Sequence, residues 1–170
     1  MLSSRTIEIT HPYLHLPVRY DAPLGIMRFR IDGQQERKFG VKFANAAPDY
    51  TVFADVEHLM GQTIEITFEG EDGVDLAHLH LADRPPDAAT MYRERYRPQF
   101  HFSSRRGFIN DPNGLVYYAG EYHLYYQHLP FGTDVGFDLK FWGHAVSTDL
   151  IHWQELPPVL YPDEHGAMYS

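Results

Sequence analysis

The sequence predicts an all-β protein, an N-terminal antiparallel β-sandwich followed by the first blade of an incomplete β-propeller. Three observations lead there. Between residue 5 and residue 81, about six or seven short segments alternate apolar and polar residues at strand period, and no helical period appears anywhere. Beyond residue 98, further strand-like segments follow one another across tight turns, a meander of roughly 45 to 50 residues, the size of one propeller blade. Between the two, Asp83-Arg84-Pro85-Pro86-Asp87 is stiff and polar and breaks both patterns. The domains are therefore drawn as a sandwich over 1–82, a linker over 83–98 and the start of the propeller over 99–170.

In the first region Arg5 to Thr10 alternates, and Gly25 to Ile31 puts Met27, Phe29 and Ile31 on one face with Arg28 and Arg30 on the other. Asp32-Gly33 marks a hairpin, and the returning segment carries Phe39, Val41 and Phe43 inward. Tyr50 to Val56 is another strand. Thr63 to Glu69 alternates with Ile64, Ile66 and Phe68 inward, and Gly70-Glu71-Asp72-Gly73 turns into a last strand, Val74 to Leu81. His78 and His80 then share a strand face; without a third ligand they read as a packed or solvated pair, so no metal site is assigned. The stretch Tyr92 to Pro98 is charged and aromatic but short, and reads as a contact between domains rather than a nucleic-acid site.

In the second region Leu115 to Tyr118 runs into Ala119-Gly120, and Glu121 to Gln127 returns. A Gly-rich loop over 132–136 leads to Phe141 to Ser147, and His152 to Leu156 closes the meander. One blade cannot bury both faces by itself, so a chain ending at Ser170 is expected to be the beginning of a longer propeller.

Composition narrows the chemistry. Twenty-three acidic against 14 basic residues give a net charge of -9, which disfavours nucleic acid and anionic membrane surfaces and suits a neutral ligand. With no cysteine there is neither a disulfide framework nor a thiolate nucleophile. No apolar run approaches the roughly 18 residues of a membrane span, and Met1-Leu2-Ser3-Ser4-Arg5 lacks the layout of a signal peptide. No cofactor is called for. Aromatic residues make up 15%, serving as core or as flat platforms for sugar rings.

The candidate catalytic residue is Asp111. Pro112 fixes its own φ and steers Asp111 away from the helical region, while Asn113-Gly114 reads as a positive-φ pair on which the chain reverses. Taken alone, an Asp in this setting reads as a turn residue that caps its neighbours' amides, and its surroundings decide whether it carries chemistry.

With these segments in hand, the sequence resembles glycoside hydrolase family 32, the invertases, levanases and inulinases. Asn110-Asp111-Pro112-Asn113-Gly114 is similar to the family's nucleophile motif, and Tyr122-His123-Leu124-Tyr125-Tyr126-Gln127-His128 to its second. Trp142-Gly143-His144-Ala145-Val146-Ser147, with Asp149-Leu150 and His152-Trp153, is similar to its third. The region 1–82 also resembles an extension that precedes the catalytic domain in some bacterial levanase-like members. The resemblance implies a five-bladed propeller that cleaves β-fructofuranosyl linkages in levan, inulin or sucrose with retention, through a fructosyl-enzyme intermediate. That chemistry uses two carboxyl groups about 5 to 5.5 Å apart, one as nucleophile and one as acid and then base. On the same basis Asp111 is the nucleophile, and Asn110 and Gln127 bind fructosyl hydroxyls or orient it. Tyr169 and Ser170 match a Phe-Ser pair that opens the next substrate-contacting segment. The family's acid/base Glu and its second Asp lie beyond Ser170, so the isolated chain is expected to be inactive. Where members carry Trp-Gly in a wall of the fructose pocket this sequence has Val135-Gly136, so either Phe137 or Phe141 builds the wall or the pocket is altered. The implied location is the periplasm or the extracellular space, and the implied partner is a fructan or sucrose-type carbohydrate; oligomeric state is not set. Two other readings share the same residues: a non-catalytic carbohydrate-binding protein and a fructosyltransferase.

Overall fold

A computed structural model describes residues 2–70, 72–133, 139–163, 165–167 of the chain. They are all-β, as expected: eleven strands and two single 3-10 turns, Glu57–Leu59 and Leu76–His78. The chain separates into two compact units, Met1–Ala88 and Ala89–Ser170.

The first unit contains β1 (Leu2–Glu8), β2 (Tyr13–Val18), β3 (Gly25–Ile31), β4 (Gln34–Val41), β5 (Tyr50–Asp55), β6 (Thr63–Glu69) and β7 (His80–Ala82). They form two antiparallel sheets, ordered β1-β6-β3-β4 and β5-β2-β7. Alternation decides which side chains go in: Met27, Phe29, Phe39, Val41, Ile64, Ile66 and Phe68 are all buried, as their period predicts. Asp32 and Gly33 both take positive φ, 49° and 80°, so the hairpin between β3 and β4 turns where the sequence places it. Leu14, Leu16 and Val18 bury the middle of β2.

The last strand of this unit differs from expectation. Val74 to Leu81 is not one strand; Asp75 caps a 3-10 turn through its carboxylate on the Ala77 amide, and only His80–Ala82 pairs, with β2. His78 closes that turn and His80 lies in β7, so the two do not share a strand face. Among the described residues no group of three metal-ligating side chains occurs.

The second unit contains β8 (Phe108–Tyr118), β9 (Glu121–Leu129), β10 (Phe141–Ser147) and β11 (Gln154–Leu160), paired in the order β11-β10-β9-β8 as a simple antiparallel meander. One face of this sheet carries the apolar core. Tyr126, Phe141 and Ala145 are almost wholly buried, with Phe141 against Phe131 at 5.8 Å and Tyr161 at 5.3 Å, and Phe102 against Tyr126 at 5.0 Å. Gly143 makes this packing possible: a Cβ there would fall 2.3 Å from the Tyr126 ring. Register places Asn110, Gln127, Trp142, Tyr125, Asn113 and His144 on the opposite face.

Candidate functional site

The site is built on β8. The sequence expects a chain reversal over Asp111 to Gly114, with Leu115 to Tyr118 as a separate strand, and here the structure departs. β8 runs unbroken from Phe108 to Tyr118, and its register against β9 slips twice. Asn110 pairs with Gln127, Asn113 with Tyr125 and Val116 with His123, so each step of three residues in β8 is matched by two in β9. These are one-residue bulges. The positive φ values fall on Asp111, 44°, and Gly114, 59°, rather than on adjacent residues. Separated by Pro112 and Asn113, they absorb one slip each and close no turn.

Asp111 is thus the strained residue of the first bulge. A left-handed conformation is uncommon for a residue with a side chain and costs on the order of 1–3 kcal/mol; it persists where its surroundings impose it, and such residues cluster at functional sites. One neighbour braces it here: the Asn113 side-chain N–H donates to the Asp111 carbonyl at 3.0 Å, whereas Pro112 by itself would favour extended backbone at Asp111. The Asp111 residue itself is exposed.

Next to it, pairing of β8 with β9 brings Asn110 onto Gln127. The Asn110 Nδ2 donates to Gln127 Oε1 at 2.9 Å, and Lys140 Nζ donates to the same oxygen at 2.8 Å. Gln127 is buried, 5% exposed. The carbonyl oxygens Asn110 Oδ1 and Asn113 Oδ1, which flank Asp111 in the chain, are buried and have no donor among the described residues. His128, the next residue of β9, faces the core. Its Nε2–H donates to the Arg106 carbonyl at 3.0 Å, and burial pushes its pKa down to about 4, keeping it neutral.

Of the residues singled out from the sequence, Asp111, Asn110 and Gln127 are therefore adjacent. Tyr169, Ser170, Val135 and Phe137 lie outside the described residues. Phe141 is not a pocket wall: it pairs with His128 on the core face, and is 2% exposed. Glu155 is excluded as a second carboxylate beside Asp111. It pairs with Ala145, on the face away from Gln127, and is committed there to the Arg105 amide at 2.7 Å. Asp149 is a turn brace: His152 above all, with the amides of Ile151 and His152, holds its carboxyl well below the usual range. Sequence reasoning missed Lys140, since a single lysine after a Gly-rich loop reads as a solvated charge.

Residues 101–170 match the Glycosyl hydrolases family 32 N-terminal domain. A levanase of Bacillus subtilis (strain 168) is 56% identical over 86 residues, 49% of this chain and 12% of that protein. A fructan beta-fructosidase of Streptococcus mutans is 41% identical over 121 residues, 71% of this chain and 8% of that protein. The chain thus spans 12% and 8% of the length of these curated relatives. Among solved structures, an exo-inulinase from Aspergillus awamori is 47% identical, covering 41% of this chain and 13% of its own, with a TM-score of 0.39.

Proposed function

Since the chain belongs to glycosyl hydrolase family 32 through residues 101–170, we propose that it supplies the nucleophile half of a retaining fructosyl hydrolase, with levan, inulin or sucrose as substrate. The observation that carries this reading is the bulge at Asp111: a carboxylate on a strained backbone braced by Asn113, beside an Asn110–Gln127 pair joined at 2.9 Å.

In this reading Asp111 attacks the anomeric carbon of a terminal fructosyl unit. The glycosidic oxygen leaves with a proton from a separate carboxylic acid, and a fructosyl ester of Asp111 forms. Water, activated by the same acid in its conjugate form, then releases fructose and restores the carboxylate. Asn110 and Gln127 bind the fructosyl hydroxyls; the carbonyl oxygens of Asn110 and Asn113 are acceptors suited to O–H donors. The acid is supplied from outside the described residues. Residues 1–82 form the sandwich, 83–98 the linker and 99–170 the first propeller blade. Tyr169 and Ser170 extend the substrate site. The same reading places the protein in the periplasm or outside the cell, where a polymeric fructan is met.

Calorimetric titration of levan oligosaccharides into residues 1–170, with and without Asp111→Asn and Gln127→Ala, tests the sugar site. Binding weakened by both substitutions is expected. Binding that neither alters would move the sugar to the first unit and remove the support for a fructosyl site at Asp111.

A further inference from the structure

Three rings lie in a row on the polar face of the second unit. Tyr125 and His123 belong to β9, and His144 sits opposite Tyr125 on β10. The His144 ring stacks on Tyr125, with centroids 4.4 Å apart and planes 8° apart. Toward His123 it is joined edge to edge, His123 Nδ1 and His144 Nε2 lying 3.0 Å apart with the two planes 14° apart. Tyr125 in turn meets the second bulge of β8. Gly114 takes a φ of 59° there, and a Cβ built on it would fall 2.9 Å from the Tyr125 ring, so the ring fills the space a side chain would need. Tyr125 also pairs with Asn113, whose side-chain N–H donates to the Asp111 carbonyl. Contacts are therefore continuous from the two imidazoles to the backbone of Asp111.

The imidazole pair limits its own protonation. Two ring nitrogens at 3.0 Å need one N–H and one lone pair between them. A neutral pair supplies these, and so does a pair with one added proton, in which the imidazolium donates. A second proton sets N–H against N–H and breaks the bond. Burial above all, and then His123, lowers the pKa of His144, with Glu121 acting in the opposite sense. The residues opposite the two rings on the neighbouring strands carry no charge: Val116 on β8 and Val146 on β10 face His123, and Leu156 on β11 faces His144. Glu155 of β11 is turned to Arg105 on the other face of the sheet.

We propose that Tyr125 is a positioning residue for Asp111, holding the bulged backbone of β8 through Gly114 and Asn113, and that the His123–His144 pair keeps Tyr125 in place until it takes a second proton. Acid then loosens the bulge through the stack, separately from protonation of Asp111 itself. The consequence for catalysis rests on the reading of Asp111 as the nucleophile; the coupling of the rings to the bulge does not.

The test is a pH titration of residues 1–170 followed by nuclear magnetic resonance. The Gly114 backbone amide and the Asn113 side-chain NH2 pair are expected to shift with the midpoint of the His144 ring carbons, and to do so equally in Asp111→Asn, where the carboxylate no longer titrates. His144→Phe keeps a flat ring on Tyr125 without a proton to gain, and is expected to abolish this response. Tyr125→Leu is expected to displace both signals at every pH, and Tyr125→Phe, which keeps the ring, to restore them. Signals of Gly114 and Asn113 that stay fixed while His144 titrates overturn the proposal, as does a folded Tyr125→Leu in which they are unmoved. If Tyr125→Leu does not fold, the wild-type titration decides alone. Calorimetry with levan oligosaccharides is expected to show binding that weakens at the same midpoint; no binding at any pH removes the fructosyl reading, while the two signals still decide the positioning.

Discussion

His128 and Gln127 are neighbours on one strand, and their side chains point to opposite faces with opposite tasks. Gln127 is held by two donors on the polar face, while His128 is buried at 3% exposure against the core, donating to Arg106. Burial lowers the His128 pKa from 6.5 to about 4. The unfolded chain therefore takes up a proton before the folded one does as the pH falls, and stability is lost from near the unfolded value of 6.5 down toward 4. Between pH 7 and pH 5 this amounts to about 2 kcal/mol. Both tryptophans, Trp142 and Trp153, lie in the second unit, so their fluorescence during urea unfolding follows that unit alone. His128→Gln is expected to flatten the difference between the two pH values; a slope equal to that of the wild type would assign it to other groups. At this scale the sequence was legible where residues are local to a motif. Asp111 and Asn110 are adjacent in sequence and Gln127 lies across one hairpin. Lys140 was not legible, because its bond to Gln127 depends on where the end of a loop settles, and nothing in composition or period carries that.

Among the elements, β8 shows how a motif can be read correctly as constrained and wrongly as to form. Pro112 and Gly114 do mark an unusual backbone, but the strand-forming residues on both sides pair with β9 throughout, and the ladder absorbs the irregularity as two bulges. Strands that alternate, such as β3, β4 and β6, were visible from period alone. β2 was not: Leu14 to Val18 is buried without alternation, includes Pro17, and lies between β5 and β7. The packing of β9 on β10 depends on Gly143, where a Cβ would meet the buried Tyr126 ring at 2.3 Å. Gly143→Ala is expected to destabilise the second unit by about 1–3 kcal/mol, the usual cost of overpacking. Gly132→Ala, where nothing among the described residues lies within 4 Å of the new atom, is the control and is expected to be near neutral. Equal midpoints of tryptophan-detected unfolding for the two variants would remove the claim that Gly143 makes room for the Tyr126 ring.

For the molecule as a whole, two compact units are joined near Ala88, and only the second carries the motifs that point to chemistry. Its polar face gathers Asp111, Asn110, Gln127 and Lys140, while Glu155 is bound on the core face to Arg105. A double displacement needs two carboxyl groups, so purified residues 1–170 are expected to show no turnover of levan, inulin or sucrose above the uncatalysed rate. Release of fructose by this chain, measured with a reducing-sugar assay, would mean that a second carboxyl group is supplied from within it.

The central claim is that Asp111 is the nucleophile, and the most direct test replaces the matched 86-residue stretch of the Bacillus subtilis levanase with the corresponding part of this chain. Levan hydrolysis by that chimera is then compared with and without Asp111→Asn. A fall in kcat of about a thousandfold or more is predicted, the loss expected when a nucleophile is removed. A chimera that hydrolyses levan equally well after Asp111→Asn would contradict the account.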